Sequence, residues 1–221
     1  MTNLSDNELD VLVCVIDDDD GFRNALASLL RSAGYRVEIF PSPAEYAVSP
    51  GADDCACLLL DVHLQDANGL EFQQKLQHSQ ATVPVILMTG QADVLTSVKG
   101  MRAGAVNFLA KPFSGDDILE AVDEAVGIDR VRRAEKRGDE AAKHAYASLT
   151  PREREVMALV TAGLMNKQVA GRLNVSEITV KIHRGNMMKK MQAQSLADLV
   201  RMADALGVRE EGTSRFPSQS A

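Results

Sequence analysis

Val11-Leu12-Val13-Cys14-Val15-Ile16 runs directly into Asp17-Asp18-Asp19-Asp20. The apolar half has the length and β-branched composition of a buried strand, so the acids arrive at its carboxyl end. In an open parallel sheet that edge is where ligands and ions bind. Carboxylates crowded there repel one another unless something cationic is held between them. Two later runs end in the same manner: Cys57-Leu58-Leu59-Leu60 in Asp61, and Asn107-Phe108-Leu109-Ala110 in Lys111. Acid, acid and base at three strand ends describe a metal-assisted phosphoryl site.

Working outward, strand-like runs at 11–17, 35–40, 55–61, 84–89 and 107–111 alternate with amphipathic stretches near 22–33, 43–48, 69–78, 93–103 and 116–127. In the last stretch Ile118, Val122, Ala125 and Val126 recur at helical spacing. Five βα units with right-handed crossovers predict an α/β, doubly wound five-stranded parallel sheet covered on both faces. Gly34, Gly69 and Gly104 fall at helix ends or loop turns.

The 221 residues suffice for one large domain or two small ones, and the charge separates two. Residues 1–126 hold 7 Lys/Arg against 20 Asp/Glu, whereas 150–205 hold 9 against 5. An acidic module joined to one that meets a polyanion fits this split. Three cysteines without metal-ligand spacing read as buried thiols, Cys55 and Cys57 on one strand face and Cys14 in another apolar run. No apolar stretch reaches the ~20 residues of a membrane span. The acidic, polar start is unlike a signal peptide, so a cytoplasmic location is expected.

The segment 127–148 is charged around Arg130-Val131-Arg132-Arg133-Ala134-Glu135-Lys136-Arg137, and Gly138 weighs against one uninterrupted helix. A partly helical linker is expected there. Residues 149–208 then read as four helices. Thr150-Pro151-Arg152-Glu153 is a capping box with proline at the first helical position, before a buried stripe of Val156, Leu159 and Val160 that ends at Gly163. The second helix runs from Asn166 through Val169, Ala170 and Leu173 to Asn174. Ser176 caps a third with Val180, Met187 and Met191 inward, and Ser195 opens a fourth burying Leu196, Leu199, Val200 and Ala203. The polar stretch 209–221 is expected to be a disordered tail.

Paired carboxylates with a phosphate suit Mg²⁺. Asp61 is best placed as a nucleophile that forms an acyl phosphate, with Lys111 to meet charge on the phosphoryl oxygens. Thr89 ends the fourth strand with a hydroxyl able to hydrogen-bond a phosphoryl oxygen. Acids at strand ends are also common helix caps, and Asp19 or Asp20 is expected in that part. Four suitable residues at four functional strand ends exceed what capping explains.

Asp17-Asp18, Asp61, Thr89 and Lys111-Pro112, with Val83-Pro84-Val85-Ile86-Leu87-Met88-Thr89-Gly90 and Ala103-Gly104-Ala105-Val106-Asn107-Phe108-Leu109-Ala110-Lys111-Pro112-Phe113, resemble the receiver domain of two-component response regulators of the FixJ/NarL class. The resemblance covers roughly 11–126 and implies a flavodoxin-like receiver over 1–126. It makes Asp61 the phosphoacceptor and Asp18 a direct Mg²⁺ ligand. Asp17 helps through water, and the His63 backbone carbonyl completes the ligands. Thr89 and Phe108 become the switch residues. Two positions depart from the usual pattern: Gln65, where relatives usually carry proline, and Gln91, where they often carry histidine. His63 and Gln91 flank the path of attacking water in receivers, which implies that His63 tunes dephosphorylation.

Residues 166–190, from Asn166-Lys167-Gln168-Val169-Ala170 to Ser176-Glu177-Ile178-Thr179-Val180-Lys181-Ile182-His183-Arg184-Gly185-Asn186-Met187-Met188-Lys189-Lys190, resemble a LuxR-type helix-turn-helix. Inward packing of Val180 and Met187 turns Lys181, Ile182, Arg184, Gly185 and Lys189 outward, where a recognition helix enters the major groove. Ser176, Thr179 and the N–H groups at the helix start hold phosphates. Lys181 and Arg184 reach guanine or phosphate, and Ile182 meets a thymine methyl. Gly185 permits close approach to the groove. His183 lies nearer the buried side.

Taken together, the residues and both resemblances imply a phosphorylation-dependent, DNA-binding transcriptional regulator rather than an enzyme. Its partners would be a sensor histidine kinase, double-stranded promoter DNA and, once phosphorylated, a second copy of itself, with no membrane. Two readings compete: a phosphorylation-independent regulator with a vestigial receiver, and a Mg²⁺-dependent aspartyl-phosphate phosphatase. The full set of acids with Lys111 counts against the first. The absence of a lid or cap insertion counts against the second.

Overall fold

Alternate residues of the central strands supply two separate cores, and that alternation places helices on both sides of the sheet. In the computed structural model, which describes residues 11–65, 67–78, 83–90 and 94–209 (94–96 by backbone alone), the strands are β1 Leu12–Ile16, β2 Arg36–Phe40, β3 Cys55–Asp61, β4 Val85–Thr89 and β5 Asn107–Ala110. All pair in parallel in the order β2-β1-β3-β4-β5. The helices are α1 Asp20–Ser32, α2 Pro43–Ala47, α3 Gly69–His78, α4 Val94–Arg102 and α5 Gly115–Ala147. On one face Val13, Val15, Leu59, Ile86 and Met88 pack with Leu26 and Leu30 of α1 and Ile118 and Val122 of α5. On the other, Cys14, Ile16, Leu58, Leu60 and Leu87 pack with Tyr46 of α2 and Leu70, Phe72 and Leu76 of α3. Every residue of β1, β3 and β4 is buried, as a two-sided parallel sheet requires.

The expected elements are present, with ends shifted by a residue or two except in α5, which continues from the expected 116–127 through the expected linker to Ala147. Three expectations are corrected. Cys55 and Cys57 lie on opposite faces of the sheet. The pairing register with β1 slips between Leu12↔Cys55 and Val13↔Cys57, and this bulge at Ala56 breaks the period-two alternation. All three cysteines are nevertheless buried free thiols. The second correction concerns Gly138, which lies inside α5 without ending it. One glycine costs a helix only about 1 kcal/mol relative to alanine.

The chain divides into two compact units between Arg132 and Arg133. Four further helices belong to the second: α6 Pro151–Thr161, α7 Asn166–Leu173, α8 Glu177–Lys190 and α9 Leu196–Ala205. Val156, Met157, Val160, Val169, Val180, Met187, Met191, Leu199 and Ala203 form its core. Leu196, expected inside, is 40% exposed, because as the first residue of α9 it precedes the turns that pack. No helix among the described residues is long and apolar enough to cross a membrane. Residues 210–221 of the expected tail, and Gln91, lie outside the described residues.

Candidate phosphoryl and DNA sites

The sheet order puts the carboxyl ends of β1, β3, β4 and β5 side by side, which assembles the rim that the strand ends foreshadow. Asp17, Asp18 and Asp61 each direct a carboxylate oxygen to within 4.8 Å of the others. The Lys111 ammonium bridges two of them, donating to Asp17 Oδ2 at 2.6 Å and Asp61 Oδ2 at 2.8 Å. It also sits 4.1 Å from the centre of the Phe22 ring, whose π face favours a cation. Phe22 in turn meets Phe113 edge to face, with ring centroids 5.8 Å apart.

Backbone groups fix the acids. Asp19 N–H donates to Asp17 Oδ1 at 3.0 Å, and His63 N–H donates to Asp61 Oδ1 at 3.1 Å. Asp19 itself caps α1, accepting from Phe22 N–H at 2.9 Å, as expected of one acid in the run. The loop after β3 folds back tightly, with Gly69 N–H donating to Val62 O at 3.0 Å. A β-carbon at Gly69 would stand 2.2 Å from the Asp61 carbonyl oxygen, so only glycine allows that approach.

Burial pushes the Asp17 carboxyl above the usual carboxylate range, and the Lys111 and Asp19 hydrogen bonds offset this only in part. Burial works against the charge of Lys111 as well, but its bonds to Asp17 and Asp61 prevail and hold it above the usual lysine value. Both directions follow from a pocket that holds three carboxylates against one ammonium. Such a pocket favours a further cation, and its all-oxygen donors are those of a hard ion such as Mg²⁺.

Thr89, fully buried at the end of β4, pairs its hydroxyl with His63 Nδ1 at 3.0 Å. Phe108 on β5 is half-buried against the Leu58, Leu60 and Leu87 cluster. Sequence reasoning passed over Arg23, which lies buried in α1 and donates to the Asp17 carbonyl and to Asp20. Its place one turn into the helix after the acids is the only signal, and many helices carry such an arginine.

In the second unit α6 opens with the expected capping box: Thr150 Oγ1 accepts from Glu153 N–H at 3.3 Å and Glu153 Oε2 from Thr150 N–H at 2.8 Å. Lys190 of α8 donates to the same carboxylate at 2.7 Å, tying α8 to α6. Asn174 ends α7 in the left-handed conformation, φ 53°, which an asparagine tolerates. Ser176 caps α8, accepting from Thr179 N–H at 3.1 Å, and its hydroxyl pairs with that of Thr179 at 2.8 Å.

Lys181, Ile182, Gly185 and Lys189 are exposed along α8, Ile182 at 58%. Arg184 departs from this set. It is half-buried and donates to Asn166 Oδ1 of α7 at 3.1 Å, so it joins the two helices of the motif. Ile178, which sequence reasoning passed over, is 70% exposed one turn before Ile182.

A receiver-like sheet with an acidic rim, followed by a helix-turn-helix, defines the class, and comparison with known proteins agrees. Residues 13–123 match the response regulator receiver domain, and 147–203 match the bacterial regulatory proteins of the luxR family. The chain is 45% identical over 204 residues to nodulation protein W of Bradyrhizobium diazoefficiens, covering 92% of this chain and 90% of that one. The solved structure of response regulator StyR is 37% identical, covers 87% of this chain and 98% of its own, and superposes with a TM-score of 0.77. Full-length FixJ from B. japonicum is 34% identical over 90% of this chain and 98% of its own, with a TM-score of 0.52. The chain belongs to the response regulators of the FixJ/NarL class, transcriptional regulators that join a receiver to a LuxR-type DNA-binding module.

Proposed function

We propose that Asp61 accepts a phosphoryl group from a sensor histidine kinase in the cytoplasm, and that this switches dimerisation and promoter binding. The observation that carries the reading is the Lys111 bridge between Asp17 and Asp61 beside Asp18. In the transfer an Asp61 carboxylate oxygen attacks phosphorus as the phosphorus–nitrogen bond of a phosphohistidine breaks. The electron pair of that bond stays on the imidazole. Lys111 is placed to meet charge on the phosphoryl oxygens and to leave Asp61 Oδ2 for them. Asp18 and Asp61, with Asp17 behind them and the His63 carbonyl, would hold Mg²⁺, which when bound neutralises phosphoryl and carboxylate charge.

Thr89 and Phe108 would relay the change to the surface bearing α4 and β5, the two-state element that phosphorylation biases. A second copy would dock on that face. Ser176, Thr179, Lys181, Ile182, Gly185 and Lys189 would then meet promoter DNA, two modules on two half-sites. Arg184 would act on DNA from a position fixed by Asn166.

Intact-mass measurement after incubation with acetyl phosphate and Mg²⁺, on wild type and Asp61→Asn, tests the reading, with molecular size followed by light scattering. A phosphoryl adduct on wild type alone, with growth of the dimer, is the expected result. An adduct on neither protein would remove the phosphoacceptor role and leave a DNA-binding regulator that works without phosphorylation.

A further inference from the structure

His63 follows the phosphoacceptor by two residues, and its backbone and its ring do different things. The backbone N–H holds Asp61 Oδ1, while the ring turns Nδ1 to the buried Thr89 hydroxyl at 3.0 Å. We propose that His63 is a positioning residue for phosphoryl transfer, acting through the Thr89 hydroxyl rather than on attacking water. The proposal rests on Asp61 as the phosphoacceptor.

The direction of the hydrogen bond carries the consequence. A hydroxyl has one proton to donate and two lone pairs to accept with, and a neutral imidazole has one nitrogen of each kind. Nδ1 is the nitrogen turned inward, toward the pocket where Asp17, Asp18 and Asp61 outnumber Lys111. A phosphoryl oxygen that takes the Thr89 proton leaves only hydroxyl lone pairs facing Nδ1, which selects the tautomer with hydrogen on Nδ1 and leaves the other nitrogen to solvent. His63 Nδ1–H then donates to Thr89 Oγ1, which occupies a lone pair and orients the hydroxyl's own proton for an acceptor. A phosphoryl oxygen gaining charge as the Asp61–phosphorus bond forms is such an acceptor. A hydroxyl already oriented contributes to the transition state without the cost of being ordered there.

The ring itself is exposed, so its replacement leaves the core untouched. The test compares the rate at which full-length protein gains the Asp61 adduct from acetyl phosphate and Mg²⁺, and the decay of the adduct after the donor is removed. The set comprises wild type, His63→Ala, His63→Asn, Thr89→Val and the double variant His63→Ala/Thr89→Val. Uptake is expected to slow about three- to tenfold in His63→Ala, the effect of one hydrogen bond. Most of the rate should return in His63→Asn, whose amide nitrogen reaches the place of Nδ1. In the Thr89→Val background His63→Ala should change nothing further, because the two residues act as one unit. An equal loss from His63→Ala with and without Thr89 would overturn the proposal. So would unchanged uptake with altered decay, which would place the ring on the water path. No adduct on wild type would overturn the Asp61 reading together with this one.

Discussion

The rim of the sheet and the outer face of α8 are the two charged surfaces on which the proposed function depends, and they are built on opposite plans. On the rim, Asp17, Asp61, Thr89 and Lys111 are buried or half-buried and hydrogen-bonded to one another, to His63 or to backbone N–H groups. On α8, Lys181, Ile182, Gly185 and Lys189 stand in solvent. A site that makes and breaks a bond needs its groups in place before the reactant arrives, because a small misplacement costs rate. A surface that binds a long polyanion gains most of its affinity from phosphates, and flexible lysines suffice for that. Arg184 is the exception on α8. Its bond to Asn166 gives one guanidinium the fixed placement that the rim gives to all its members.

The sharpest way to break the comparison is at Lys111. Lys111→Ala should slow phosphoryl uptake about a hundredfold or more, the loss typical of a transition-state electrostatic partner, measured by intact mass against acetyl phosphate. A loss below tenfold would make the rim no more organised than α8. Lys111→Ala should leave DNA affinity at a fixed phosphorylation level unchanged.

Next in size comes Glu153, which holds α8 to α6. Glu153→Gln should lower stability by about 1 kcal/mol, since Lys190 loses the charge of its partner while the amide oxygen can still accept from Thr150 N–H and keep the capping box. Thermal unfolding measures this. The same residue sets a pH dependence. Burial pushes Glu153 up, but Lys190 and the Thr150 N–H prevail and hold its carboxyl below the usual glutamate value. A depressed folded pKa gives stability that is present above the unfolded value and lost as pH falls through the folded one. The helical module should therefore weaken from about pH 4.5 downward, and Glu153→Gln should flatten that part of the curve.

The smallest effects belong to α8. Lys181→Ala should weaken DNA binding about equally across sequences and reduce the dependence of log affinity on log salt by about 1. Arg184→Ala should cost more than Lys181→Ala, because it also removes the hydrogen bond that joins α8 to Asn166 of α7. Equal losses in binding titrations at matched salt would show that the Asn166 bond adds nothing.

Much of the rim was legible because its members sit at strand ends. An apolar run fixes the strand, and the next residue is delivered to the carboxyl edge wherever the strand lies in the sheet. Asp17, Asp61, Thr89 and Lys111 were found on that ground. Arg23 and Phe22 were not, since a helix residue reaches the site only through the angle at which α1 packs. The His63–Thr89 pair was equally out of reach, 26 residues apart and joined by a ring orientation. On α8 the helical period separated Val180 and Met187 from the outer residues correctly. It misjudged Arg184, whose length lets it turn along the helix to a partner on α7.

The sequence by itself determined the order of elements, the two modules, the strand-end acids and lysine, and the caps at Thr150 and Ser176. All of these follow from contacts within a few residues or from a periodicity that one segment carries alone. The tertiary structure decided which strand ends are neighbours, through the order β2-β1-β3-β4-β5. It also decided the split of Cys55 from Cys57 by the bulge at Ala56, the continuity of α5 through Gly138, and the partners of Arg23, His63 and Arg184. Each of these depends on how distant segments pack, and local pattern carries no record of that.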